Sequence, residues 1–85
     1  MPITITKKYS TQQAAPNAVG GVQQITNLTP YVTYDYSTNG SSWTRTMANE
    51  NGAIINLIPG YYYIKVAATT TSAESQPKLV QVTAQ

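Results

Sequence analysis

The side chains in this sequence that could do chemistry are few. The carboxylates are Asp35, Glu50 and Glu74, the cations are Lys7, Lys8, Arg45, Lys65 and Lys78, and there are seven tyrosines but no histidine or cysteine. Without histidine the commonest general base and metal ligand are both missing, and without cysteine there is no thiolate nucleophile and no disulfide. A Ser/Thr hydroxyl therefore has no usual base to activate it. The three acids fall on one expected strand and two expected loops. That spacing supplies neither the paired carboxylates of a glycosidase nor the six to eight oxygens of a calcium cage. No catalytic residue, metal ligand or cofactor site is expected, and the chain reads as a non-enzyme. An intramolecular Lys-Asn isopeptide, with Lys7 or Lys8 as the amine, would require a buried lysine beside an asparagine and an acid. Solvent-facing lysines are the simpler account.

Charged residues make up 9% of the chain and its net charge is +2, with no basic stripe. Nucleic-acid binding needs a concentration of phosphate-neutralising cations, so none is expected. No run approaches the length of a membrane helix, and the basic pair follows the apolar residues at the N-terminus, so neither membrane insertion nor a secretory signal is expected. Asn27-Leu-Thr29 and Asn39-Gly-Ser41 match the glycosylation sequon, yet turn chemistry already explains both asparagines.

The tyrosines carry the sharper expectation. Lys65 marks the wet face of its strand, so Tyr62, Ile64 and Val66 point inward and Tyr61 and Tyr63 outward. Asp35 is likewise expected in solvent, with Val32, Tyr34 and Tyr36 buried and Tyr31 exposed. Trp43 is assigned to the core with Tyr34, Tyr36 and Tyr62. Tyr31, Tyr61 and Tyr63 are the candidate binding or assembly surface, because a rigid ring buries much area at little entropic cost. Cross-strand aromatic pairs that merely stabilise a wet sheet would read the same way.

The elements that position these residues are strands. Thr, Val, Ile and Tyr dominate, and helix formers are sparse. Expected strands run over residues 2–8, 22–28, 31–37, 43–47, 53–57, 61–68 and 78–83, with residues 10–21 as a long loop or arm. The Val22, Ile25 and Leu28 spacing breaks strict alternation and predicts a bulge or register change. Asn39-Gly40 makes a hairpin turn and Pro59-Gly60 a corner. Thr26-Asn-Leu-Thr-Pro30 echoes Ile55-Asn-Leu-Ile-Pro59 at a spacing of 29 residues, which predicts two equivalent corners in one sandwich. Seven short strands at this spacing, in a single domain of residues 1–85 with its body at 22–83, predict an all-β two-sheet sandwich.

Leu28, the run from Tyr34 to Gly40, Trp43, Leu57, Gly60, Tyr62 and the run from Ile64 to Ala68 resemble the fibronectin-type-III-like or Ig-like repeats of bacterial cell-surface and S-layer proteins. Related Ig-like modules also occur on phage virions. The resemblance spans residues 22–83 and implies a seven-stranded Ig-like sandwich used as a spacer, adhesive or decorative module. The family's corner pattern, Leu-x-Pro-Gly-x-x-Tyr, selects Tyr63, whereas the inward phase selects Tyr62. A complete product of this size fits a small virion decoration or accessory structural protein, with protein partners in a larger lattice. An excised repeat fits a bacterial surface spacer or adhesin, placed outside the cell. A carbohydrate-binding module would present Tyr31, Tyr61 and Tyr63 as one flat platform for surface glycans.

Overall fold

The computed structural model describes residues 11–85, and every regular element among them is a β-strand. The strands expected over residues 2–8 and the lysines proposed there for a crosslink lie outside the described residues. In chain order the strands are β1 (Thr11–Gln12), β2 (Val19–Gly21), β3 (Gln24–Thr26), β4 (Thr33–Ser37), β5 (Thr44–Met47), β6 (Gly60–Val66), β7 (Ser72–Ala73) and β8 (Lys78–Val82). The main sheet is antiparallel throughout, in the order β5-β4-β6-β8. β2 and β3 form a tight hairpin, and β1 runs parallel to β7.

A second layer covers the main sheet. Ile25 of β3 pairs with Ile54, each donating its N–H to the other's carbonyl at 2.9 Å. Between this layer and the main sheet lies one apolar core containing Ile25, Leu28, Ile54 and Leu57 from one side and Tyr34, Tyr62, Ile64, Val80 and Val82 from the other. Period-two alternation therefore sorted β6 and β8 correctly. Tyr36 meets Tyr62 edge to face at 5.8 Å between ring centroids, an arrangement that suits the ring quadrupoles.

Two expectations about faces need correction. Asp35 is on the outer face but is not in solvent, being only 5% exposed. Trp43 is not in the core: it is half-buried on the outer face, in phase with Arg45 and exposed Met47. β5 is an edge strand, and its inward positions are the small Thr44 and Thr46, so the ring packs on the other side of the sheet. Two boundaries also moved. Thr11–Gln12 and Val19–Gly21 are strands within the expected arm, and Val22 sits in the β2–β3 turn, where Gln23 adopts a φ of 54°. The irregular apolar spacing of Val22, Ile25 and Leu28 thus reflects neither a bulge nor a register change within one strand but a hairpin turn between two strands that pair in regular register. The expected strand at 53–57 contracts to the single bridge at Ile54.

The repeated corner is real in three dimensions. Asn27 and Asn56 take φ values of 64° and 63°, a left-handed conformation that asparagine tolerates better than most residues. Each turns the following leucine, Leu28 or Leu57, into the core. The leucine N–H groups donate at 2.9 Å to Gly52 O and Gln23 O respectively. A tyrosine hydroxyl then secures each corner: Tyr34 accepts the Thr29 N–H at 3.0 Å, and Tyr62 donates to the Ile58 carbonyl. Of the two tyrosines competing for the second corner, Tyr62 makes it.

Two glycines mark close approaches of backbone to backbone. A Cβ on Gly20 would lie 1.7 Å from Gln81 O, where β2 runs beside β8. A Cβ on Gly52 would lie 2.1 Å from Leu28 O, at a φ of +71°. Gly52→Ala should therefore destabilise by more than the roughly 1–2 kcal/mol of a left-handed alanine, read as a lower urea midpoint with an unchanged slope. Tyr62→Phe keeps the ring and loses the corner bond, so about 0.5–1.5 kcal/mol should go, a drop of several degrees in melting temperature. Burial, with Tyr36 nearby, holds the Tyr62 phenol above its ordinary value, against the smaller opposing effect of the Ile58 bond. The folded state then keeps a proton that the unfolded chain releases, so stability falls as pH rises past about 10. Tyr62→Phe should flatten that alkaline decline in denaturation curves; a decline as steep as the parent's would assign it elsewhere.

Candidate functional site

The hairpin turn at 38–42 sets the register that builds the outer face. Ser37 Oγ accepts the N–H groups of Asn39 and Gly40, and Asn39 Oδ1 accepts those of Ser41 and Ser42, all between 2.8 and 3.1 Å. With the turn closed this way, Asp35 falls opposite Arg45 on β5 and opposite Lys65 on β6. Arg45 donates to the Asp35 carboxylate through Nε at 2.9 Å and through its terminal nitrogen at 3.2 Å. This two-pronged contact makes a largely buried carboxylate tolerable, and it holds the guanidinium above its ordinary pKa.

Lys65 is the second covered charge. Its ammonium lies 3.0 Å from Glu74 Oε1 and 4.1 Å from the centroid of the Trp43 ring, and its side chain is only 11% exposed. To reach Lys65 from β5 the ring must cross β4, where the intervening Asp35 and Ser37 are short. The loop bearing Glu74 is fastened to the end of β6: Ser75 N–H donates to Val66 O at 3.1 Å, and Ser75 Oγ accepts the Val66 N–H at 2.8 Å. Gln13 Nε2 adds a bond to Ala67 O at 2.8 Å. Sequence reasoning placed Asp35 and Lys65 as solvated charges and missed this network. Reflecting the chain about Gly40 would have found its Asp35–Arg45 half.

The three tyrosines named from the sequence fall in two places. Tyr61 and Tyr63 share the outer face of β6, and Tyr63 pairs with Leu79 of β8. Tyr61 is 61% exposed and Leu79 51%, so the three make one apolar patch that the described residues leave open. Gly40 of the hairpin turn lies against the Tyr63 ring. Tyr31 is elsewhere. It precedes β4 at the end opposite Ser37, and Ser37 is the partner of Tyr63, so at least the roughly 13 Å of strand from Thr33 to Ser37 intervenes. Tyr31 takes a φ of 65°, uncommon for a bulky residue, and is 64% exposed. It lines an open cleft of about 510 Å³ with Gln13, Thr33, Arg45 and Thr69.

Two of the three acids, Asp35 and Glu74, are held by cations, and the described residues contain no group of three or more metal-ligating side chains. Comparison with protein-family models, with curated proteins and with solved structures finds no match.

Trp43 is the single tryptophan, so its fluorescence reports the Lys65 clamp directly. Lys65→Met keeps most of the aliphatic stem and removes the ammonium. It should alter the Trp43 emission and cost about 1–2 kcal/mol, between the values for an exposed and a fully desolvated cation over an aromatic face. Unchanged emission in a folded variant would show that the ring and the ammonium do not meet in solution.

Proposed function

We propose that this chain is a non-enzymatic structural and binding module with an Ig-like β-sandwich fold, serving as a small decoration or accessory structural protein of a virion. The observation that carries the binding role is the open patch of Tyr61, Tyr63 and Leu79 on a sheet face whose neighbouring charges are already paired. Tyrosine-centred patches are where protein contacts concentrate their energy, and a desolvated aromatic there outweighs many rim contacts. The Ig-like assignment is supported by three features. The order β5-β4-β6-β8 faces a layer in which β3 pairs with the Ile54 segment. Val22 meets Thr83 in parallel at the sheet edge. Tyr62, near the start of its strand, bonds the backbone four residues upstream, as tyrosine corners do in such domains, and Ile64 two residues on is fully buried.

A carbohydrate-binding role is the second reading. The flat platform of Tyr31, Tyr61 and Tyr63 expected of it is not formed, because Tyr31 stands at the other end of β4. It rests instead on the Tyr31 cleft, where an exposed ring stands beside Gln13, Thr33, Arg45 and Thr69. It predicts that Tyr31→Ala abolishes retention on immobilised glycans while Tyr61→Ser/Tyr63→Ser does not.

The virion reading is tested by mass spectrometry of density-banded particles and of the cell envelope from cultures that express the gene. The chain should copurify with particles, and Tyr61→Ser/Tyr63→Ser should lower its occupancy at least tenfold. Recovery in the envelope fraction alone would replace that reading with the surface spacer or adhesin.

A further inference from the structure

The main sheet has two long edges, and the chain treats them differently. Along β8 the far end is met by the β2 hairpin: Thr83 donates to Gly21 O and accepts the Gln23 N–H, both at 2.9 Å. β5 has no such neighbour among the described residues. In an antiparallel ladder, alternate residues turn their N–H and C=O groups toward the partner strand. Ala48 donates to Val32 O at 2.9 Å, which sets the phase. Thr44 and Thr46 therefore turn their backbone groups to β4, and Arg45 and Met47 turn theirs off the edge. No described residue bonds those four outward groups.

Exposed edges are ordinarily blunted by lysine, proline, a bulge or an inward-pointing charge. β5 carries no lysine or proline, and its register with β4 runs without a bulge. Its one charge, Arg45, is drawn across the outer face to Asp35. Along the edge Thr44, Arg45 and Met47 are all exposed.

We propose that β5 pairs with β5 of a second copy of this chain, antiparallel about a two-fold axis at Thr46, joining two four-stranded sheets into one continuous sheet. Only registers that place residues of like parity opposite each other keep the two outer faces on the same side. Centring on Arg45 would oppose the two arginines, and like charges directly opposite repel. Centring on Thr46 sets Thr46 against its copy, a favourable pair, and closes four backbone hydrogen bonds between Arg45 and the copy's Met47 and between Met47 and the copy's Arg45. The pairing uses only residues within β5, whereas the Arg45-centred register needs Trp43, which lies outside the strand. The contact is short, well below the roughly 800 Å² per partner of a standard interface, so the dissociation constant falls between about 1 μM and 1 mM. It is independent of the Tyr61–Tyr63 patch, from which β4 separates it.

Light scattering from about 1 μM to about 1 mM tests the pairing. The mass should rise with concentration from 9.2 kDa to twice that value and no further. Met47→Pro removes an N–H that serves only the edge and should hold the chain monomeric. Met47→Lys places a cation opposite the copy's Arg45 and should weaken the dimer roughly 2- to 30-fold, whereas Met47→Glu should tighten it by a similar factor. Trp43 fluorescence confirms that each variant is folded. The proposal is overturned if the parent stays monomeric at about 1 mM, or if the Lys and Glu variants shift association in the same direction. It is equally overturned if Tyr61→Ser/Tyr63→Ser abolishes the dimer and folded Met47→Pro leaves it intact, an outcome that moves self-association to the tyrosine patch.

Discussion

Two chain corners hold the layers of this protein together. At each, the backbone leaves the β3–Ile54 layer and enters the main sheet, and the residues in transit lose their ladder partners. Buried peptide groups without partners are costly, so each crossing must supply substitutes. The chain does so twice with the same parts: a left-handed asparagine, a buried leucine whose N–H finds a carbonyl across the layer, and a tyrosine hydroxyl that bonds the residue after the leucine. The two hydroxyls act in opposite senses, Tyr34 accepting and Tyr62 donating. A hydroxyl can do either, so the same residue type serves both corners.

The corners also determine where aromatic surface is left exposed. Committing Tyr34 and Tyr62 to the inside places Asp35 and Lys65 outside by strand parity, on a face that the Glu74 loop and Trp43 then partly close. Pairing four of the chain's charges within this network leaves a surface whose remaining contact potential is aromatic area at Tyr61 and Tyr63, with Tyr31 apart at the other end. Such a surface is compatible with the proposed assembly role, in which affinity would come from many copies and from edge pairing, with modest area per contact. A chain of this length buries a limited fraction of its surface, and sheet continuation across copies would add ordered ladder without a larger core.

Much of this was legible in the chain. The all-β class, the alternation of β6 and β8, the hairpin at Asn39-Gly40 and the repeated Asn-Leu-x-Pro corner all rest on local rules: φ preference, missing donors, and a side-chain period of two. The failures share a cause. Asp35 and Lys65 were read as solvated because a lone charge prefers water, and the rule is sound for a lone charge; here each has a partner brought by another segment. Trp43 is assigned to the core by alternation along its strand, but alternation fixes only which residues share a face, and it is Lys65 of another strand that draws the ring to the outer one.

The sequence by itself determined which residues alternate, where the chain must turn, and that histidine- and thiol-based chemistry is absent. These follow from covalent geometry and composition and need no neighbour. Only the tertiary structure decided that Tyr62 rather than Tyr63 pins the corner, that Tyr31 stands apart from Tyr61 and Tyr63, and that Asp35, Arg45, Lys65 and Glu74 form one paired network. Each of those depends on contacts between segments nine or more residues apart or on which backbone carbonyl lies within reach of a hydroxyl, and a one-residue slip in pairing would rewrite most of them.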